Sequence, residues 1–449
     1  QLEAALTPAA GGRTDVTDES IAPAMAAADE AVNAVVEVLR KIPAKERRDG
    51  RRDRCLQAAS SLLEDVRRAR VPRAHDVAWV PEVGPATLLV APVDVGPELA
   101  RLVFRRRTAI LTSATLSVGG TVAPLARRLG LRADLLAGGD EEAEPGGDRA
   151  PFRELRVGSP FDYRAHAVLY CPVHLPDPRQ MPKSFDDAAL EELAALVQAA
   201  GGRTLALFTS HRMLRKAAEA LRDRFPWKVH VQDGPPEPGL IERFRDDETS
   251  CLLATMGYWQ GVDVPGRSLS LVVIDRLPFA SPKDPLLEAR RELSRAAGED
   301  SFDTVDLPLA ATLLAQGAGR LIRTADDRGV VTVLDRRLAK ARYRHALLDS
   351  LPPMRRSIDG AEVRAMLTAL AEGREPPAPR PVVRAGTPVP ARVGLAVSLG
   401  DDPRSGSVTE LLAQGAVVEL SGGEVVIVPW GRPVVHEGAR RPLVAPEPA

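Results

Sequence analysis

Little of this chain is sulfur-bearing, aromatic or dominated by one charge, and each shortage excludes something. Three cysteines, Cys55, Cys171 and Cys251, stand among 449 residues. They are too few and too scattered for a disulfide framework or a four-thiolate cluster, and a reducing cytoplasm suits them. Sixty basic against 61 acidic side chains leave a formal charge of −1, so a global positive field is absent. Any grip on a polyanion must then come from local patches. No apolar run approaches the roughly 18 residues needed to span a bilayer, and Gln1 to Asp18 lack the basic start and apolar core of a signal peptide. No repeat with a period of about 20 to 50 residues is apparent. The chain opens on Gln1 rather than Met, as a processed protein or the back part of a longer one would.

What is present is ordinary globular material, 44% hydrophobic and 27% charged. Its length suggests roughly three domains. Glu19 to Arg70 has helical spacing, with Ala31, Val35, Val38 and Leu39 on one stripe. Arg47, Arg48, Arg51, Arg52 and Arg54 form a basic cluster, either a solvated helix face or a phosphate-contacting one. Asp76 to Val93 reads as short strands. A helix over Gly96–Arg107 then leads to an expected buried strand at Thr108–Leu111, and Gly138–Asp148 is a loop or linker. Beyond Pro160, apolar runs at 167–171, 204–208, 228–231, 250–254, 269–274 and 330–334 alternate with amphipathic helices such as 185–200, 212–224 and 307–322. Continuous apolar strands separated by helices predict a doubly wound α/β domain around a parallel sheet. From Glu375, six prolines including Pro376 and Pro390 predict a stiff linker. A hairpin over 416–428 follows, and the last dozen residues look disordered.

Ligands of open parallel sheets bind at strand ends, and four stretches draw notice there. Thr112, Ser113 and Thr115 in Leu111–Leu116 can hydrogen-bond a phosphate or water, or simply cap the next helix. Thr209 and Ser210 offer backbone N–H groups to an anion such as a DNA phosphate, or again a cap. In Ala254–Gly266, Gly261 permits close backbone approach and Asp263 can accept from an Arg or a ribose. Tyr258 and Trp259 there either pack in a core or stack near a nucleic-acid track. In Gln316–Arg323, the residues Gln316, Arg320 and Arg323 fall at i, i+4 and i+7, one face of a continuing helix. Two arginines with a Gln suit a triphosphate, and a salt-bridged stripe is the plainer alternative. The helix-breaking Gly317 and Gly319 fit that alternative poorly.

In this order and spacing the stretches resemble motifs III to VI of superfamily 2 helicases, and more closely the XPD/DinG branch. The landmarks are LTSATL, SPFDY at Ser159–Tyr163, ATMGYWQGVDVPG, DRLPFASPKDP at Asp275–Pro285 and QGAGRLIR, within Ala78–Pro353. The resemblance implies a RecA-like doubly wound sheet as second helicase lobe, with a helical N-terminal segment and a remnant of the first lobe. It implies ATP and Mg²⁺ between two lobes, single-stranded or forked DNA across them, 5′ to 3′ movement, and a DNA-repair setting. By the same resemblance, Arg320, Arg323 and Gln316 face the nucleotide. Thr112, Ser113, Thr115, Gly261 and Asp263 couple ATP to DNA, while Thr209, Ser210, Tyr258 and Trp259 lie along the DNA.

The departures cluster at the front. No Gly-x-x-x-x-Gly-Lys-Thr loop occurs, and Asp29-Glu30-Ala31-Val32, which superficially resembles a DEAH box, sits in an Ala-rich helical run rather than ending a buried strand. No metal site and no iron–sulfur cluster are expected in this chain. ATP and Mg²⁺ would be held largely by a missing N-terminal half, without which the chain is expected to be inactive. The expected divisions are 1–75 (helical), 76–135 (first-lobe remnant), 136–160 (linker), 161–360 (second lobe) and 361–449 (linker and tail). Two other readings stay open: a non-catalytic nucleic-acid-binding or regulatory module that keeps only the second lobe, and an unrelated phosphate enzyme on a similar sheet.

Overall fold

The computed structural model describes all residues except 43–49, 74, 83, 132–151, 223, 233, 235–236, 256–265, 267, 378–388, 400–404, 413–414, 422–424, 430–432, 437–438 and 445–449. The chain divides into two compact units, Gln1–Pro377 and Ala378–Ala449.

The first unit opens with two helices, Ala22–Lys41 and Arg51–Arg70. They run antiparallel, because Arg67 near the end of the second pairs with Asp29 near the start of the first at 3.0 Å. At the other end, Arg52 donates to the Leu39 carbonyl at 2.9 Å. Asp29, in the sequence that superficially resembles a DEAH box, is thus held by Arg67 and Arg70. Strands β1 (Gly12–Arg13), β2 (Asp76–Val80) and β3 (Leu89–Pro92) form a small antiparallel sheet. Val77 of β2 and Val93, just past β3, pack on Ala289 of the helix Pro285–Ala296. Arg290 also donates to the Val93 carbonyl at 3.0 Å.

The buried strand expected at Thr108–Leu111 is not formed. Those residues belong to no helix or strand, Ile110 is 88% exposed and Leu111 48%. A strand needs neighbours for its backbone groups, and no described strand pairs with this segment.

The main sheet is parallel throughout. It comprises β4 (Ala167–Tyr170), β5 (Thr204–Phe208), β6 (Val229–Val231), β7 (Cys251–Thr255), β8 (Leu271–Ile274), β9 (Gly329–Val333) and β10 (Arg355–Ser357). Its order is β10-β4-β9-β8-β5-β7-β6. Side chains alternate between two cores: Leu205, Leu207, Leu252, Val272 and Ile274 face one way, Ala206, Phe208, Leu253, Leu271 and Val273 the other. The helix Leu307–Ala318 covers the first face, and Pro182–Ala200, His211–Leu221 and Gly360–Ala371 cover the second. Burial on both faces is why these strands read as unbroken apolar runs, each buried Leu or Val contributing about 1.5–3 kcal/mol. The helix Gly360–Ala371 belongs to this domain rather than to the tail, since Val363, Met366 and Leu367 lie in its second core.

The second unit contains a sheet of its own, more than the one expected hairpin, while residues 378–388, on which most of the expected linker falls, lie outside the described residues. It contains β11 (Val389–Pro390), β12 (Ala396–Leu399), β13 (Ser405–Leu412), β14 (Gly415–Leu420), β15 (Val425–Pro429), β16 (Pro433–His436) and β17 (Ala439–Val444). Their order is β11-β17-β16-β12-β13-β14-β15. The expected hairpin is present as β14 and β15. Pro390 lies in a strand, and the segment expected to be disordered contains β17. Buried Val, Leu and Ala alternate along these strands and supply the core that the proline content obscured. Among the described residues, no helix is long and apolar enough to cross a membrane.

One turn is sterically committed. Gly201, Gly202 and Arg203, between Pro182–Ala200 and β5, have φ of 60°, 81° and 43°. A Cβ on Gly202 would lie 1.7 Å from the Thr249 carbonyl oxygen. Gly202→Ala is expected to cost at least about 2 kcal/mol, read as a lower urea midpoint; an unchanged midpoint would contradict the packing of this turn.

Candidate functional site

Because the strands are parallel, the sheet has one carboxyl edge and one amino edge, and Thr209 and Ser210 lie at the first, Arg320 and Arg323 at the second.

At the carboxyl edge, Thr209 and Ser210 follow β5. Ser210 caps His211–Leu221, its hydroxyl accepting from the Met213 N–H at 3.2 Å. Thr209 donates to Asp275, from N at 2.8 Å and from Oγ1 at 3.3 Å. Asp275 follows β8 and is 1% exposed. Burial pushes its pKa up to about 6, against the Thr209 backbone hydrogen bond and the Arg276 charge, which favour the carboxylate. Beside it, Asp186 is 2% exposed and holds three cations, Arg212 at 2.7 Å, Lys216 at 2.9 Å and Arg276 at 2.6 Å. Burial works to raise the Asp186 pKa, but its hydrogen bonds and these charges outweigh that and lower it. Arg212 and Lys216 stay about half exposed, so the cluster presents positive charge beside the Thr209 loop.

At the amino edge the helical stripe expected over Gln316–Arg323 is broken. The helix ends at Ala318, and Arg320 and Arg323 lie in the turns after it. Arg320 N bonds to the Gly317 carbonyl at 3.2 Å and Leu321 N to that of Ala318 at 3.3 Å, a tightening that ends the helix where glycine weakens it. Gln316, Arg320 and Arg323 are all partly exposed. Asp327, 6% exposed, fixes the turn: it accepts from Arg323 N and Thr324 N at 2.7 Å and from Gly266 N at 3.1 Å. Gly266 is the last residue of the ATMGYWQGVDVPG stretch, so one carboxylate ties that stretch to the arginine turn. Gly261, Asp263, Tyr258 and Trp259 themselves lie outside the described residues.

SPFDY converges on the same place. Tyr163, hydrogen-bonded to Ser159, is raised in pKa by burial, while the nearby Arg323 charge acts to lower it. Phe161 packs edge-on to Tyr163 at 6.0 Å. Thr112 and Ser113 are exposed and Thr115 half-buried; Thr115 N donates to Ser113 Oγ at 3.2 Å. The segment that follows docks nearby, Gly119 N donating to Ser350 Oγ at 2.7 Å. Among the described residues, no group of three or more His, Cys, Asp or Glu could hold a metal ion. Asp186, Asp275 and Asp327 carry the geometry, yet sequence reasoning passes over them. Only Asp275 had a visible signal, as the first residue of DRLPFASPKDP.

Residues 193–354 match the model of the helicase C-terminal domain family. The relatives make the match more particular. An ATP-dependent helicase DinG of Mycobacterium tuberculosis is 45% identical over 70% of this chain and 45% of its own length. The ATP-dependent DNA helicase YoaA of Escherichia coli is 40% identical over 61% and 40%, and the 3'-5' exonuclease DinG of Bacillus subtilis is 35% identical over 58% and 27%. The chain thus spans less than half the length of these relatives and is similar to a portion of DinG-type proteins.

The Asp275 pKa gives a pH signature. A carboxyl raised in the folded state favours folding while protonated, and that contribution is lost as pH rises from about 4 to 6. Asp275→Asn is expected to flatten stability across this window, by at most about 3 kcal/mol, in urea titrations at stepped pH; an unaltered profile would contradict the burial assigned to Asp275.

Proposed function

We propose that this chain supplies the second motor lobe of an ATP-dependent DNA helicase of the DinG type, acting on single-stranded or forked DNA in a cytoplasmic repair setting. The observation that carries the reading is the separation of two edges joined by one rigid sheet. At the amino edge Asp327 fixes the turn that carries Arg323, Tyr163 of SPFDY lies near Arg323, and Gln316 and Arg320 precede that turn. The carboxyl edge carries Thr209, Ser210 and a cation cluster.

Arg320 and Arg323 fit the outer end of a triphosphate, where guanidinium groups neutralise charge developing in the transition state. Thr112, Ser113 and Thr115, with Gly261 and Asp263, would relay between nucleotide and DNA, and Tyr258 and Trp259 would stack on bases. The residues placed at the nucleotide, Gln316, Arg320 and Arg323, include no carboxylate that could hold Mg²⁺. No phosphate loop occurs in the sequence either. The nucleotide's β-phosphate and its metal would therefore be held by a partner lobe, which the greater length of the relatives could accommodate. On its own the chain is proposed to bind DNA without turning over ATP.

The test has two arms. Anisotropy titrations of this chain with labelled oligothymidylate should weaken steeply with salt, since phosphate contacts release counterions; a flat response would remove the backbone-tracking edge. In a chain extended by the phosphate-loop lobe of a DinG-type relative, Arg320→Ala should lower ATP turnover by about 10³-fold or more, with DNA affinity nearly unchanged. Turnover at the unmodified rate would remove the finger role. Absence of any turnover in the extended chain, with DNA binding intact, would favour the non-catalytic module.

A further inference from the structure

The carboxyl edge continues past Asp275 and Arg276 over the ends of β9 and β4. There a cavity of ≈ 310 Å³ is lined by Arg179, Arg336, Arg337, Lys340, Asp177 and Tyr343, among others. Its four cations exceed the nearby carboxylates, Asp177 and the buried Asp335, by two charges. Arg337 is matched by Asp335 in a bidentate pair, from Nε at 2.9 Å and Nη2 at 2.6 Å. Arg336 and Lys340 donate to the Leu175 and Val173 carbonyls at 3.3 and 3.4 Å. Neutral carbonyls orient these side chains without cancelling their charge. Asp177 is occupied in shaping its own loop, its Oδ1 accepting from the Arg179 N–H at 2.9 Å.

The floor of the cavity is rigid and has an unmet need. Tyr343 packs at 5.6 Å on Phe279 and 5.1 Å on Phe302, and the Arg337 guanidinium lies 5.8 Å from the Phe279 ring centre. The Tyr343 hydroxyl is buried with no hydrogen-bond partner among the described residues, and Arg179 and Arg337 lie within electrostatic reach of it. A buried O–H without an acceptor is costly. An oxyanion among Arg179, Arg336 and Lys340 would supply that acceptor.

The cavity is also wired to the edge already described. Asp335 Oδ2 accepts from Leu277 N at 3.1 Å, one residue beyond Arg276. At the usual strand spacing the ends of β9 and β4 lie about 10–15 Å from the Thr209 loop, a span of a few nucleotides.

We propose that this cavity is a second phosphate anchor, taking a backbone phosphate of the same single strand that passes Thr209. The inference rests on the DNA-binding reading above and adds a site that reading does not require. Arg179 and Lys340 are exposed, so Arg179→Ala/Lys340→Ala should leave the melting temperature unchanged.

Oligothymidylates of about 2 and about 20 nucleotides, too short and long enough to span the distance from the Thr209 loop to the cavity, separate the outcomes. The double variant should bind the long strand about ten-fold more weakly, with a salt slope shallower by about 0.7 for each phosphate no longer neutralised. It should bind the short strand like the unmodified chain, and Tyr343→Phe should weaken only the long strand. Unchanged affinity and slope on both strands would overturn the anchor while leaving DNA binding intact. Equal weakening on both would overturn it as a separate site. Inorganic phosphate that saturates the cavity, followed by amide NMR shifts, without weakening the long strand would make it a free-anion site and overturn the assignment. If the unmodified chain binds neither strand, the DNA-binding reading itself fails and takes this inference with it.

Discussion

A carboxylate buried without partners costs several kcal/mol, yet this domain places four at the ends of its sheet and spends each on backbone N–H groups or cations. Asp275 holds the loop after β5, Asp335 the loops after β8 and β9, and Asp327 the arginine turn together with Gly266. Asp186 gathers Arg212, Lys216 and Arg276. Apolar strands give the sheet its stability but cannot orient polar loops. The carboxylates do that for the loops after β5, β8 and β9 and for the arginine turn.

How much of this is readable from sequence follows from the physics of each element. The parallel strands are visible because burial on both faces leaves an unbroken apolar signature. The starts and ends of β5, β7 and β9 fall within one residue of the expected ones. Thr108–Leu111 carries the same signature, but apolarity reports a tendency to be covered and cannot supply the neighbouring strand. The stripe over Gln316, Arg320 and Arg323 fails for a local reason: two glycines within three residues stop the helix before either arginine. The strands of the tail are obscured by composition: Pro390, one of the six prolines that predict a linker, lies in β11, and the alternating Val and Leu show as strands only once paired.

The candidate site is legible in its motifs and illegible in its supports. SPFDY and QGAGRLIR are far apart in sequence and meet only because β4 and β9 are neighbours in the sheet. Asp186 sits in a helix with no local mark. Its role depends on cations 26 to 90 residues away. Pairings of that range are set by topology, which periodicity does not encode.

The uncovered stretch around Ile110 bears on handling as well as on the proposed relay. It is uncharged from Thr108 to Ser117, contains no proline, is rich in β-branched residues, and leaves its backbone without a ladder. Such a segment is a template for strand addition between molecules. Protein concentration, more than temperature, would then govern how long the isolated chain stays dispersed, and a covering strand would act on solubility before it acted on turnover.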